Sequence, residues 1–257
     1  MTEIREPAVA GTFYPADAAE LGRAVERMLG SARASRGGAP KALIVPHAGY
    51  VYSGPIAASA YARLRPFRDR YRRVVLLGPC HRVPVRGLAL PGADVFRTPL
   101  GDVRVDRAAT ADLHLPQLTV FDATHEFEHS LEVHLPFLQS VLGDFTLVPF
   151  VVGSARHEEV AEVLDALWDG PETLIVISSD LTHYLSYDAA RETDESTRRS
   201  IEALDAGSIG HDEACGATPI GGLLVTAKRR RLNVETLDLR NSGDTAGDRR
   251  RVVGYGA

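Results

Sequence analysis

Lys41-Ala42-Leu43-Ile44-Val45-Pro46-His47-Ala48-Gly49-Tyr50 is the stretch that decides the fold. Ala42, Leu43, Ile44 and Val45 run without a polar break, the pattern of a strand buried on both faces. Pro46 has no N–H to donate and ends the ladder. Gly49 lets the backbone turn tightly. His47 therefore arrives where the chain leaves the sheet, and open α/β sheets take their ligands at the carboxyl ends of strands. A histidine there is placed for chemistry. Taken alone, it also reads as a turn residue bonded to its own loop.

The same design recurs. Val74, Val75, Leu76 and Leu77 form a second apolar run over 73–77, and Gly78-Pro79-Cys80-His81 follows it. Further buried strands are expected over 145–152 and 173–177, the latter running into Ser178-Ser179-Asp180-Leu181-Thr182-His183-Tyr184. Neighbouring strands would bring His47 and His81 to one sheet edge, which favours a functional reading of both. Asp180 and His183, three apart, are spaced to meet within one helical turn. The alternative for them is a capping Asp and a surface His.

Working outward, residues 1–16 read as an irregular arm pinned by Phe13 and Tyr14. A helix follows, with Asp17 and Glu20 resembling a capping box and Leu21, Ala24, Val25, Met28 and Leu29 as its apolar stripe. Residues 31–40 read as a loop. Helices are also expected over 55–64, with Pro55 in the first turn, and over 106–113, 158–168, 188–205 and 223–231. Short strands fit 86–90, 94–99, 234–239 and 251–255. Strands alternating with helices predict one α/β domain spanning 1–257, a central, mostly parallel or mixed sheet flanked by helices.

Composition narrows the function. The 257 residues are 44% hydrophobic and 25% charged, with a formal net charge of −5. Such a chain is an ordinary globular protein without a nucleic-acid-binding surface. No apolar run approaches the ~20 residues of a membrane span, and the first six residues lack a signal peptide's apolar core. The two cysteines, Cys80 and Cys215, are too few for a disulfide framework. A cytoplasmic setting is expected. Cys215 precedes a helix whose first turn holds Pro219, a position that lowers a thiol's pKa. Cys80, beside His81, should point the other way and pack.

Thr124-His125-Glu126-Phe127-Glu128-His129-Ser130-Leu131-Glu132-Val133-His134 packs three histidines and three glutamates together. His125-Glu126-Phe127-Glu128-His129 matches the His-Glu-x-x-His zinc pattern by letter. The apolar helical pattern begins only near Leu131, so residues 124–128 read as a loop or first turn, and the match is discounted. The strand-end residues His47, His81, Asp180 and His183, joined by Cys215, remain. Imidazoles and a thiolate suit iron, copper or zinc.

The ordered segments Pro46-His47-Ala48-Gly49-Tyr50, Gly78-Pro79-Cys80-His81, Glu128 to Pro136, Ser178 to Tyr184 and Cys215 to Gly221 resemble the Memo family. Its prokaryotic members are called AmmeMemoRadiSam system protein B. The opening Pro7 to Pro15 fits as well. The resemblance implies a fold shared with class III extradiol dioxygenases, in which two histidines and a carboxylate hold non-haem Fe(II). Here it implies His47, His81 and Cys215 as metal ligands, a Cys replacing the carboxylate. It also implies His183 as the acid/base group beside Asp180, and His129, Glu132 and Tyr50 behind the ligands or in a substrate pocket. The cofactor it implies is Fe(II), with copper second and zinc third. The partners it implies are an AMMECR-type protein and a radical SAM enzyme, beside a small-molecule substrate that the sequence does not name. Thiolate is softer than carboxylate, stabilises Cu(I) and is itself oxidisable, a departure that weighs against ring cleavage but not against metal binding. Three functions compete: a metal-dependent oxidoreductase, a zinc hydrolase on the same ligands, and a non-catalytic scaffold that keeps the pocket.

Overall fold

Unbroken apolar runs become strands when both faces are covered, and four of them build the centre of this molecule. The computed structural model describes residues 2–32, 37–168 and 170–257. In chain order the strands are β1 (Ile4–Arg5), β2 (Ala42–Val45), β3 (Arg73–Pro79), β4 (Leu88–Leu90), β5 (Val95–Thr98), β6 (Gly101–Arg104), β7 (Leu118–Val120), β8 (Thr146–Val152), β9 (Thr173–Ser178), β10 (His183–Leu185), β11 (Leu239–Asn241) and β12 (Val252–Gly256). The helices are α1 (Ala18–Ser31), α2 (Tyr50–Tyr61), α3 (Ala123–Glu126), α4 (Leu135–Val141), α5 (His157–Ala166), α6 (Tyr187–Glu202) and α7 (Ala217–Arg229).

The central sheet has the order β2-β9-β3-β8-β4-β7. The first four strands are parallel, β4 is antiparallel to β8, and β7 runs parallel to β4. This is the α/β architecture read from the sequence. Strand alternation divides the core in two. Val74, Leu76, Leu174 and Val176 join Leu21, Val25, Tyr61 and Leu138 from α1, α2 and α4 on one face. Val75, Leu77, Ile175 and Ile177 join Val160, Val163, Ile220 and Leu224 from α5 and α7 on the other. Each of these strand residues is 0% exposed, so truncation to Ala should cost about 2–5 kcal/mol.

Register sets the site. Val45 of β2 pairs with Ser178 of β9, and Leu77 of β3 with Ile177 of β9. Three adjacent strands thus finish nearly level, and the residues after each share one edge.

Several local expectations give way. The arm is not wholly irregular, because β1 pairs in parallel with β5. The second helix starts at Tyr50, leaving Pro55 inside it. Pro55 removes the N–H that would reach Val51, and Val51 is exposed, so water can take that carbonyl. The helix expected over 106–113 is only a 3-10 turn at Ala108–Thr110. Near Leu131 a 3-10 turn, Glu132–His134, precedes α4. Asp180 and His183 share no helical turn; His183 opens β10, which pairs with β12. Of the strand expected over 234–239, only Leu239 belongs to β11. The loop expected over 31–40 falls partly on 33–36, outside the described residues.

Candidate metal centre

Three strand ends and one loop deliver the polar groups. His47 stands two residues beyond β2 and is buried. Its backbone N–H donates to Asp180 Oδ1 at 2.7 Å, which fixes the turn after Pro46. Its Nδ1 lies 2.6 Å from Ser178 Oγ. His81 stands two residues beyond β3. Glu128 takes both its backbone N–H, at 2.6 Å, and its Nδ1, at 2.9 Å. His129 comes from the irregular segment between α3 and the 3-10 turn. Its ring stacks on His81, centroids 4.7 Å apart, and meets His47 edge-on at 5.4 Å. One nitrogen each from His47, His81 and His129 lie within 4.8 Å of one another.

Cys215 reaches the same place from the start of α7. Its Sγ is 3.4 Å from His47 Nε2, and its backbone N–H donates to Asp180 O at 3.2 Å. Asp180 therefore ties the His47 turn to Cys215, and its carboxylate is not what orients His183. That ring is set by Leu181 O, 2.8 Å from Nδ1. A carbonyl only accepts, so the His183 proton sits on Nδ1 and its Nε2 carries a lone pair.

Four other residues singled out in the sequence make their hydrogen bonds away from the three clustered rings. Glu132 accepts hydrogen bonds from Arg5, Tyr14, and the backbone N–H groups of Ala8 and Val9, so it anchors the N-terminal arm. Tyr50 donates to Val133 O at 2.6 Å and packs on Tyr14 and Phe137. His125 is engaged with Ala89 O at 3.0 Å, apart from the three clustered rings. Cys80 Sγ donates to Val83 O at 2.7 Å, a packing role.

Electrostatics favour a cation here. Burial, then repulsion from His81 and His129, holds His47 well below the usual imidazole range. Burial lowers His129 to about 4, and lowers His183 as well. These rings are neutral at pH 7 and offer lone pairs. Burial would raise Glu128, yet hydrogen bonds from His81 overcome it and hold the carboxyl at about 2. One anion thus backs the cluster. The sequence expectation of a low Cys215 pKa is reversed: burial first, then the Asp180 charge, pushes the thiol up to about 12. The helix-start effect is too weak to offset desolvation. The donor set itself fits a transition metal, with imidazole nitrogens beside sulfur. His129 Nδ1 is buried 3.3 Å from Glu128 Oε1, short of hydrogen-bond geometry.

The sequence reading gave the Glu128–His134 segment hydrogen bonds that orient a ligand imidazole and put His129 behind the ligands or in the pocket, but it named neither Glu128 as the partner of His81 nor His129 as a metal donor. The only signal was the density of His and Glu over 125–134.

A model of Memo-like proteins matches residues 5–257. The chain belongs to the Memo family. A Memo-family protein of Aeropyrum pernix is 38% identical, over 99% of both chains. One of Aquifex aeolicus is 35% identical, over 98% of this chain and 97% of its own. Zebrafish protein MEMO1 is 36% identical, over 86% of this chain and 83% of its own. Beyond the Memo relatives, the fold is similar to an uncharacterized Escherichia coli K12 protein of known crystal structure. It has a TM-score of 0.52 at 14% identity, and the match covers 84% of this chain and 98% of that one. No helix among the described residues of this Memo chain is long and apolar enough to cross a membrane.

Proposed function

We propose that this Memo protein binds one transition-metal ion, Fe(II) first and copper second, at His47, His81 and Cys215, with His129 as a further donor. We propose that it serves as a metal-dependent oxidoreductase acting on a small molecule in the cytoplasm. The observation that carries the reading is the convergence of three imidazoles and a thiol at the carboxyl ends of β2, β9 and β3. The ion would supply redox chemistry and Lewis acidity.

The chain's own groups have separable tasks. Glu128 orients His81 by holding Nδ1–H, as carboxylates behind metal-binding histidines do. Asp180 fixes the backbone of the His47 turn and accepts from Cys215 N. His183, with Nε2 unprotonated and its ring on the exposed strand β10, is placed to accept a proton from substrate. An AMMECR-type protein and a radical SAM enzyme are the partners proposed from the family's prokaryotic name.

Anaerobic purification, metal analysis and oxygen uptake with candidate substrates test the proposal. Iron or copper in the wild type, lost in His47→Ala together with oxygen uptake, would support it. Redox-silent zinc with ester or amide hydrolysis would replace it with a hydrolase. Protein that binds no metal would leave a scaffold.

A further inference from the structure

A serine hydroxyl has one hydrogen to give. Ser178 Oγ lies 2.6 Å from Ser130 O and 2.6 Å from His47 Nδ1. The Ser130 carbonyl only accepts, so the Ser178 hydrogen is committed to it. An unprotonated Nδ1 would then set lone pair against lone pair across the second contact. His47 Nδ1 must carry the proton. Ser178 and Ser130 are 0% exposed and His47 2%, so water does not compete for these positions. The nitrogen left bare is Nε2, the one that faces Cys215 Sγ.

Ser130 extends the arrangement to the second ligand. Its N–H donates to Glu128 Oε1 at 3.0 Å, the same oxygen that takes His81 Nδ1. Its own hydroxyl donates to Pro79 O at 2.9 Å, two residues before His81. One buried residue thus steadies the partners of both imidazoles. Glycine is needed opposite it, because a Cβ on Gly78 would stand 2.7 Å from Ser130 Oγ.

We propose that Ser178, held by Ser130, is a positioning residue that locks His47 as the Nδ1–H tautomer and aims its Nε2 lone pair at the metal. The proposal rests on the metal-binding reading above for its purpose, but its geometry is a property of the metal-free protein. The tautomer of a neutral imidazole is set by the hydrogen bond its other nitrogen makes. Removing the acceptor should free the ring to carry its proton on Nε2, where a metal cannot bind.

The test is long-range proton–nitrogen correlation on metal-free, nitrogen-15-labelled protein, with His47 assigned by its loss in His47→Gln. The wild type should show the proton on Nδ1. Ser178→Ala should shift His47 toward the Nε2–H form and weaken Co(II) binding by about 10- to 100-fold, the usual effect of losing such a partner. Ser178→Thr, which keeps the hydroxyl, should retain the wild-type tautomer. A wild-type His47 protonated on Nε2 overturns the proposal, as does Ser178→Ala with unchanged tautomer and affinity. Should Ser178→Ala not fold, the wild-type spectrum decides by itself. Failure of wild-type protein to bind Co(II) counts against the metal site, whereas the spectrum reads the tautomer without any ion.

Discussion

Glu132→Leu should destabilise the protein severely, although Glu132 touches no clustered imidazole in the structure. The carboxylate is 0% exposed and Arg5 is only 7% exposed. Four donors converge on it: the Arg5 guanidinium, the Tyr14 hydroxyl, and the Ala8 and Val9 N–H groups at 2.8 and 3.0 Å. Leucine satisfies none of them. Arg5 would keep the His125 and Glu128 carbonyls, at 3.0 and 2.6 Å, but would lose its counter-charge. Removing one member of a buried pair costs about 3–5 kcal/mol. For a chain of this size that is about 6–20 °C in Tm. Urea unfolding of Glu132→Leu, Arg5→Met and the double variant measures it. The double variant should be less destabilised than the sum of the singles, with a coupling of about 0.5–3 kcal/mol, because it leaves no stranded charge. The arm also carries Phe13, whose ring lies 4.8 Å from His129 and whose carbonyl accepts from Tyr50 N at 2.8 Å. Loosening it should therefore weaken metal binding too. A loss below about 1 kcal/mol, the scale of an exposed pair, would refute the reasoning.

Three more outcomes follow from other parts of the molecule. Burial holds Asp194 up at about 6, while Thr182 donates to it twice. The folded protein takes that proton at higher pH than the unfolded chain, so this group should add about 3 kcal/mol of stability as pH falls from about 6 to 4. Asp194→Asn should flatten that slope in denaturant titrations across the same window; an unchanged slope would contradict the assignment. Gly78→Ala should cost about 1–3 kcal/mol by overpacking and should lower metal affinity, since the new methyl meets Ser130 and Leu131. Equal affinity in a calorimetric titration would count against Ser130 as a shared support. Cys215 is a thiol in metal-free protein, with its pKa raised to about 12 by burial. Metal uptake through sulfur at pH 7 should therefore release a proton. Calorimetry in buffers of different ionisation enthalpy would show this, and binding enthalpy independent of buffer would exclude a thiolate ligand.

The parts legible in the sequence are those where burial leaves a one-dimensional trace. β2, β3, β8 and β9 are covered on both faces, so their residues read as apolar runs, and His47 and His81 announce themselves by following such runs. β1 and β10 leave no such trace. β1 is two residues long, and β10 is exposed throughout; both exist because a partner strand is supplied by the tertiary fold. Glu128, His129 and Ser130 sit between two short helical turns, where no periodicity says which way a side chain faces. Arg5 is buried against Glu132, a pairing across the chain that no local pattern records. Cys215 was misjudged because proximity to a helix start is visible in sequence while desolvation is not.

X-ray absorption at the metal edge on anaerobically loaded protein tests the central claim most directly. Wild-type protein should hold about one iron per chain, with imidazole nitrogens and a single sulfur as protein donors, and the sulfur should vanish in Cys215→Ser. A metal shell without sulfur in the wild type, or one unchanged in Cys215→Ser, would contradict the site proposed here.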